Sequence, residues 1–239
     1  MLLWYYYTME KLCIYDGIQS FITSSKEEVK IFIKNNNIIN LLYELKEKND
    51  PSINIGVLDH ADYKEPASHF LRGDTGIEES LCANSELYKI ITSEAMSEYY
   101  KYNKKHLNKG MYLDRGFYIA KAKFNNGYTF DIVGATAPNK KSNCIIYPNF
   151  TIEENDEALK NRIDFLLSVA AANHIDIYVI SSFGCNVYGQ DINEVASIFK
   201  NFLMGKYKHA FKEVYFTDGK DENYQGWKKV FEDQYSSPR

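Results

Sequence analysis

Short apolar runs alternate along the chain with stretches whose apolar residues recur at helical spacing. Residues 53–58 (INIGVL) and 175–181 (IDIYVIS) are brief, apolar and rich in isoleucine and valine, the pattern of strands covered on both faces. Residues 212–217 predict a last strand. Residues 111–124 and 128–135 flank Asn125-Asn126-Gly127, and an Asn-Gly turn between apolar runs predicts a hairpin. Helical periodicity covers residues 37–48, 156–173, 191–203 and 224–232. A further helix begins at Thr75, where Glu78 three residues on completes a capping-box pattern, and continues through Leu81, Ser85, Tyr88 and Ile91. Another covers residues 93–102. Asp191-x-x-Glu194 again has the form of a helix start.

Strands alternating with helices predict an α/β fold whose sheet is made mixed by the internal hairpin. Repeats and Gly/Ser-rich linkers are missing from the sequence. The best boundary is Lys48-Asn49-Asp50-Pro51, dividing an N-terminal extension (1–50), packing on the core, from the main domain (51–239). Ligands of such sheets sit beyond the carboxyl ends of strands. Two predicted loops lie there, residues 59–76 and 182–190.

Composition narrows the function classes. The chain has 239 residues, 45% hydrophobic and 25% charged, enough for a sizeable core. A net charge of -4 gives no general attraction to nucleic acid or anionic membrane. The opening MLLWYYY is too short to span a bilayer and lacks the flanks of a signal peptide, and Met9 offers an alternative start. Cys13, Cys82, Cys144 and Cys185 have neither C-x-x-C spacing nor histidines at ligand spacing, so neither a metal nor a cofactor is expected, and a reducing, cytoplasmic setting is.

The second loop, Phe183-Gly184-Cys185-Asn186-Val187-Tyr188-Gly189, places two glycines in a strand-to-helix turn. Glycine lets backbone approach a ligand, and the following helix start favours an anion, so the loop reads as a phosphate cradle or as a turn that needs positive φ. Cys185 reads as a small buried hydrophobe or as a nucleophile without a nearby histidine. The first loop ends in Glu78-Glu79. Adjacent helical residues do not face each other, so one carboxylate packs while the other points into the cleft as a base or a partner for a sugar hydroxyl; the alternative is a pair of ordinary first-turn acids.

Taken in order, these segments resemble the bacterial-type poly(ADP-ribose) glycohydrolases, a branch of the macrodomain superfamily. The family's P-G-G-G-F-L is met by Pro66-Ala67-Ser68-His69-Phe70-Leu71, its Q-E-E by Ile77-Glu78-Glu79, and its S-x-L-Y by Ser85-Glu86-Leu87-Tyr88. Ala135-Thr136-Ala137-Pro138-Asn139 is similar to its strand ending in A-P-N. Ser168-Val169-Ala170-Ala171-Ala172 resembles its S-V-A-A-A helix, and Gly184-Cys185-Asn186-Val187-Tyr188-Gly189 its G-C-G-V-F-G. The likeness covers roughly residues 53–231.

The resemblance implies a three-layer α/β/α macrodomain with a mixed sheet that binds ADP-ribose, poly(ADP-ribose), ADP-ribosylated proteins or a related nucleotide. It implies Glu79 as catalytic acid/base, with Glu78 in support. The ligand would lie against Asp59, the first loop (Ala67, Ser68, His69) and the second (Phe183 to Gly189). Phe216 or Tyr224 would stack on adenine. This chain departs from the pattern where Ala67, Ser68 and His69 replace three glycines, Asp59 replaces an asparagine, Ile77 a glutamine and Asn186 a glycine. Two functions follow: a glycohydrolase, or a non-catalytic macrodomain that reads or sequesters such a nucleotide.

Overall fold

The computed structural model describes residues 11–23 and 26–232. The apolar opening and Met9 lie outside the described residues. Seven strands form one sheet in the order β1-β4-β5-β3-β6-β7-β2. They are β1 (Leu12–Asp16), β2 (Lys30–Lys34), β3 (Ile55–His60), β4 (Arg115–Lys123), β5 (Thr129–Ala135), β6 (Ile177–Ile180) and β7 (Glu213–Thr217). Neighbours from β5 through β3, β6 and β7 to β2 are parallel, and β4 runs antiparallel to both β1 and β5. The carboxyl ends of β3, β5, β6 and β7 therefore share one end of the sheet.

Alternation along the central strands builds two cores. Val57, Ile132 and Val179 face one side; Leu58, Val133 and Ile180 face the other. The first side is covered by α1 (Ile38–Lys48), α2 (Ile77–Asn84), α3 (Leu87–Ile91) and α4 (Glu94–Lys105). The second is covered by α6 (Ile152–Ala172), α7 (Ile192–Met204) and α8 (Asp221–Glu232); the short α5 (Lys140–Ile146) follows β5 in the chain. This is the three-layer α/β/α arrangement. Each fully buried leucine or isoleucine here contributes about 1.5–3 kcal/mol.

Local signals fix several ends. Asn37 caps α1 by accepting from the amides of Ile39 and Asn40, and Asp191 caps α7 by accepting from Asn193 and Glu194. Thr151 and Glu154 form a reciprocal capping box that starts α6 earlier than its apolar pattern indicates. In the β4–β5 hairpin Gly127 takes φ 88°, closing a turn in which its amide donates to Phe124.

Three expectations change. The segment before residue 51 supplies β1 and β2, one at each edge of the sheet, as well as the core helix α1. Periodicity had joined α2 to α3, but the helix breaks at Ser85, which pairs with Phe124 of the hairpin and whose hydroxyl donates to Leu81 O. Thr75 does not cap α2: the cap position is Gly76, without a side-chain bond, because Glu78 turns inward instead of back toward the cap.

Candidate functional site

The candidate site lies at the carboxyl ends of β3 and β6, which are neighbours in the sheet, between the loops that follow them. The first loop is organised by Asp62. Its carboxylate accepts from the amides of Lys64 and Glu65 at 2.7 and 3.0 Å and from the Ser68 hydroxyl at 2.8 Å, while its own amide donates to both Glu78 oxygens at 3.4 Å. Asp62 was not among the candidates from sequence, although an aspartate two or three residues before a polar turn ending in proline is an Asx-turn signal. Ala67 sits at φ 43°, a left-handed conformation that costs an L-residue about 1–2 kcal/mol. The alanine thus keeps a backbone shape suited to glycine.

At the start of α2 the two glutamates divide. Glu78 is buried, with only Asp62's amide as its hydrogen-bond donor. Burial first, then the charges of Asp59 and Asp62, push its carboxyl up to about 10, so it is protonated at neutral pH. Glu79 is half-buried. Its carboxylate lies over Gly76, where an added Cβ would come within 2.2 Å of Oε2. Asp59, at the end of β3, is fully buried with neither carboxylate oxygen hydrogen-bonded. Burial, and secondarily the Glu79 charge, drive its carboxyl well above the ordinary carboxylate range. A protonated Glu78 and an Asp59 whose carboxyl is pushed well up thus stand behind the half-exposed Glu79.

The second loop is held by glycine geometry. Gly184 has φ 75°, and a Cβ there would meet Ala137 Cβ at 2.7 Å and Gln190 Cγ at 2.9 Å; Gly189 has φ 74° and lies against Lys141. Gln190 is buried, donates to Pro138 O at 2.7 Å and exchanges hydrogen bonds with Asn155. The Cys185 thiol donates to Phe183 O, and burial raises its pKa, so it is a packed thiol rather than a thiolate nucleophile. Phe183 is buried and meets His60 edge-on. Asn186 and Val187 project outward, and Asn186 accepts from Lys220 Nζ at 3.2 Å.

Several side chains that sequence reasoning missed join the loops. Tyr63 of the first loop stacks on Tyr112 at 4.3 Å, and Tyr112 approaches Tyr188 of the second at 6.4 Å. Burial first, then Asp62, raises the Tyr188 phenol, and Tyr112, Glu78 and Glu79 act in the same direction. Thr136 donates to Ala61 O at 2.6 Å. Arg162, fully buried on α6, donates to Thr136 O, to Met111 O at 3.2 Å and to Asp114 at 2.9 Å, and so clamps the floor from below. At the other end of the cleft, His60 Nε2 lies 3.0 Å from Ser181 Oγ. Ser182 donates to Asp218, and Asn223 donates to both. Burial pushes His60 down to about 4, against the opposing Asp218 charge, so its ring is neutral.

Two expected ligand residues are placed elsewhere. Phe216 is fully buried, stacked on Trp227 at 4.2 Å and packed against Phe199 and Phe231, and offers no face to adenine: α8 covers the side of β7 from which it projects. Tyr224 remains half-exposed on α8. His69 turns to solvent and pairs with Asp74 at 3.2 Å. Among the described residues no cluster of His, Cys, Asp and Glu is arranged to hold a metal ion, and no helix is long and apolar enough to cross a membrane.

A family model, the catalytic domain of microbial-type PARG, matches residues 6–124. Poly(ADP-ribose) glycohydrolase from Deinococcus radiodurans in complex with ADP-ribose superposes with a TM-score of 0.81 at 22% identity, covering 95% of this chain and 97% of that one. The enzyme from Thermomonospora curvata gives 0.81 at 20% identity, covering 95% and 88%. Its complex with the inhibitor ADP-HPD gives 0.79 at 20%, covering 95% and 87%. At these identities the structural likeness establishes the fold. No curated protein matches the chain.

Proposed function

We propose, from the match of residues 6–124 to the microbial-type PARG catalytic domain, that the chain is a member of that family and hydrolyses the ribosyl linkage of poly(ADP-ribose) or of ADP-ribosylated proteins. The observation that carries this reading is the division of the two glutamates. Glu78 is buried and protonated, and Glu79 holds its carboxyl group at the half-exposed start of α2 over Gly76. The terminal ADP-ribose would lay its diphosphate on the amides of residues 186–189, which the loop's own turn bonds do not use. Its reacting ribose would then reach Glu79. As the bond breaks, the Glu79 carboxyl gives its proton to the leaving oxygen, the carboxylate so formed stabilises the positive charge developing on the ribose, and it then takes a proton from the attacking water, which restores the acid.

A second reading, a binder that reads or sequesters ADP-ribose, is favoured by one feature. Side chains at Ala67, Ser68 and His69 occupy the loop that would otherwise offer bare backbone to phosphate. The deciding measurement is release of ADP-ribose from poly(ADP-ribose), read by mass spectrometry, for the parent protein and Glu79→Ala. The glycohydrolase reading expects release that falls about 10²–10⁴-fold in the variant. Release unaffected by the substitution removes Glu79 from the chemistry. ADP-ribose binding without release from either protein establishes the binder.

A further inference from the structure

The aromatic bridge of the candidate site is continuous with a basic surface. The end of α4 and the turn after it are tied to the first loop: the Tyr63 hydroxyl donates to His106 O at 2.8 Å, and the Asn103 side chain donates to Tyr63 O at 3.0 Å. The same turn is tied to α5 and the second loop, since the Asn139 amide donates to Gly110 O and the Lys141 amide to Tyr188 O, each at 3.0 Å. The surface so formed carries Lys101, Lys104, Lys105 and Lys109 from one segment and Lys140 and Lys141 from the other. We propose that this surface binds a single-stranded nucleic acid beside the candidate site. Binding of that kind does not require Glu79 to be catalytic.

The first support is charge. The chain as a whole carries -4, but residues 99–113 hold four lysines and residues 132–152 two, with no Asp or Glu in either stretch. Lys101, Lys104 and Lys140 pair with Glu98, Glu65 and Glu194. Lys105, Lys109 and Lys141 are exposed and make no salt bridge among the described residues. Unpaired cations on adjacent segments suit a phosphate backbone, which gains affinity by releasing its counterions.

Local energetics do not account for two of these lysines. Lys141 lies in the first turn of α5, where the helix dipole disfavours a cation and no acid offsets it. Lys109 takes φ 52° beside Asn108 at 44°, left-handed conformations that cost an L-residue about 1–2 kcal/mol each. The bonds to Tyr188 and Gly110 hold both segments in place, and backbone strain maintained in this way is a mark of ligand sites.

Flat groups favour a nucleic acid over an anionic lipid surface. Tyr102 and His106, both exposed, stack at 4.0 Å with 18° between their planes, and the Arg115 guanidinium lies over the Tyr102 ring at 4.6 Å. The bond from Tyr63 to His106 O fixes this stack to the first loop. An unpaired base can extend such a stack, whereas the faces of a base in a duplex are already covered by its neighbours, so the surface selects a single strand.

The test is fluorescence anisotropy of a labelled twelve-nucleotide single strand at 50 and 200 mM salt. Neutralisation of three phosphates predicts affinity that falls about 20-fold across that range. Lys105→Ala, Lys109→Ala and Lys141→Ala combined should remove most of the salt dependence and weaken binding at 50 mM salt about tenfold or more. His106→Ala should weaken binding about fivefold or more at both salts and leave the salt dependence unchanged. All four side chains are exposed, and unchanged thermal midpoints would report folded variants. Failure of the parent protein to bind the strand at 50 mM salt, or binding that survives the triple substitution, overturns the proposal. So does equal binding of a duplex of the same sequence, of inorganic polyphosphate or of phosphatidylserine vesicles, which would make this a surface for anions at large. None of these outcomes bears on Glu79, whose role is read from release of ADP-ribose.

Discussion

The two loops that frame the cleft leave parallel strands at the same end of the sheet, yet their shapes are held by opposite means. The second loop relies on missing side chains: Gly184 and Gly189 adopt positive φ, and at Gly184 there is no room for a Cβ between Ala137 and Gln190. The first relies on side chains that are present. Asp62 gathers the amides of Lys64 and Glu65 and the Ser68 hydroxyl, and Ala67 accepts a left-handed backbone that alanine disfavours. A loop shaped by glycine leaves its amides for a ligand. A loop shaped by a carboxylate uses amides internally and brings negative charge close to where an anion would bind. On the proposed glycohydrolase reading, phosphate would lie mainly on the second loop, and the first would position Glu78 and Glu79.

The sharpest break of this contrast is steric. Gly184→Val should cost about 2–4 kcal/mol of stability, from the strained φ and the contacts with Ala137 and Gln190, and should lose ADP-ribose binding. Thermal unfolding and calorimetry would show it; a variant that folds and binds normally would remove the role of glycine in the second loop. Next comes Glu78→Gln. Below the ordinary value of 4.5 both folded and unfolded chains hold this proton; above it the unfolded chain releases the proton, while the fold keeps it up to about 10. Stability from this group therefore falls as pH rises, by at most about 1.4 kcal/mol per pH unit. Glutamine does not titrate, so urea midpoints at pH 5, 7 and 9 should move progressively in favour of the variant. Parallel curves would show that Glu78 is ionised in the fold.

Smaller effects test the first loop. Ala67→Gly relieves a left-handed alanine but frees the unfolded chain, so the net change in stability should stay within about 1 kcal/mol. A loss well beyond that, measured by chemical unfolding, would mean that the alanine methyl packs where glycine cannot. Least of all, His69→Ala should change stability by under about 0.5 kcal/mol, since the ring is exposed and its pairing with Asp74 is a surface one. A drop of tenfold or more in ADP-ribose affinity on that substitution would return His69 to the ligand.

Much of the interior was legible in the chain. The strands β3, β6 and β7, the hairpin around Gly127 and the caps at Asn37 and Asp191 all rest on signals within a few residues of one another. The edge strands were not. LCIYD and KIFIK are five residues each and only partly buried, and Lys30 and Lys34 bracket the second, so their apolar content falls below a periodic signal. Within the candidate site, the two loops and the glutamate pair could be found from residue type and order. The aromatic bridge through Tyr63, Tyr112 and Tyr188 could not, because its members are separated by tens of residues and meet only across the cleft.

By itself the sequence determined the α/β alternation, the family resemblance and the two loops that carry the candidate site, because periodicity, turn residues and motif order are local properties. Tertiary structure decided which partner each side chain meets. Glu78 abandons a capping box for the amide of Asp62, sixteen residues away, and is neutralised by burial beside Asp59. Phe216 is lost to the core because α8 closes over its side of the sheet. Burial and charge depend on every element packed around a group, and that environment exists only once the chain has folded.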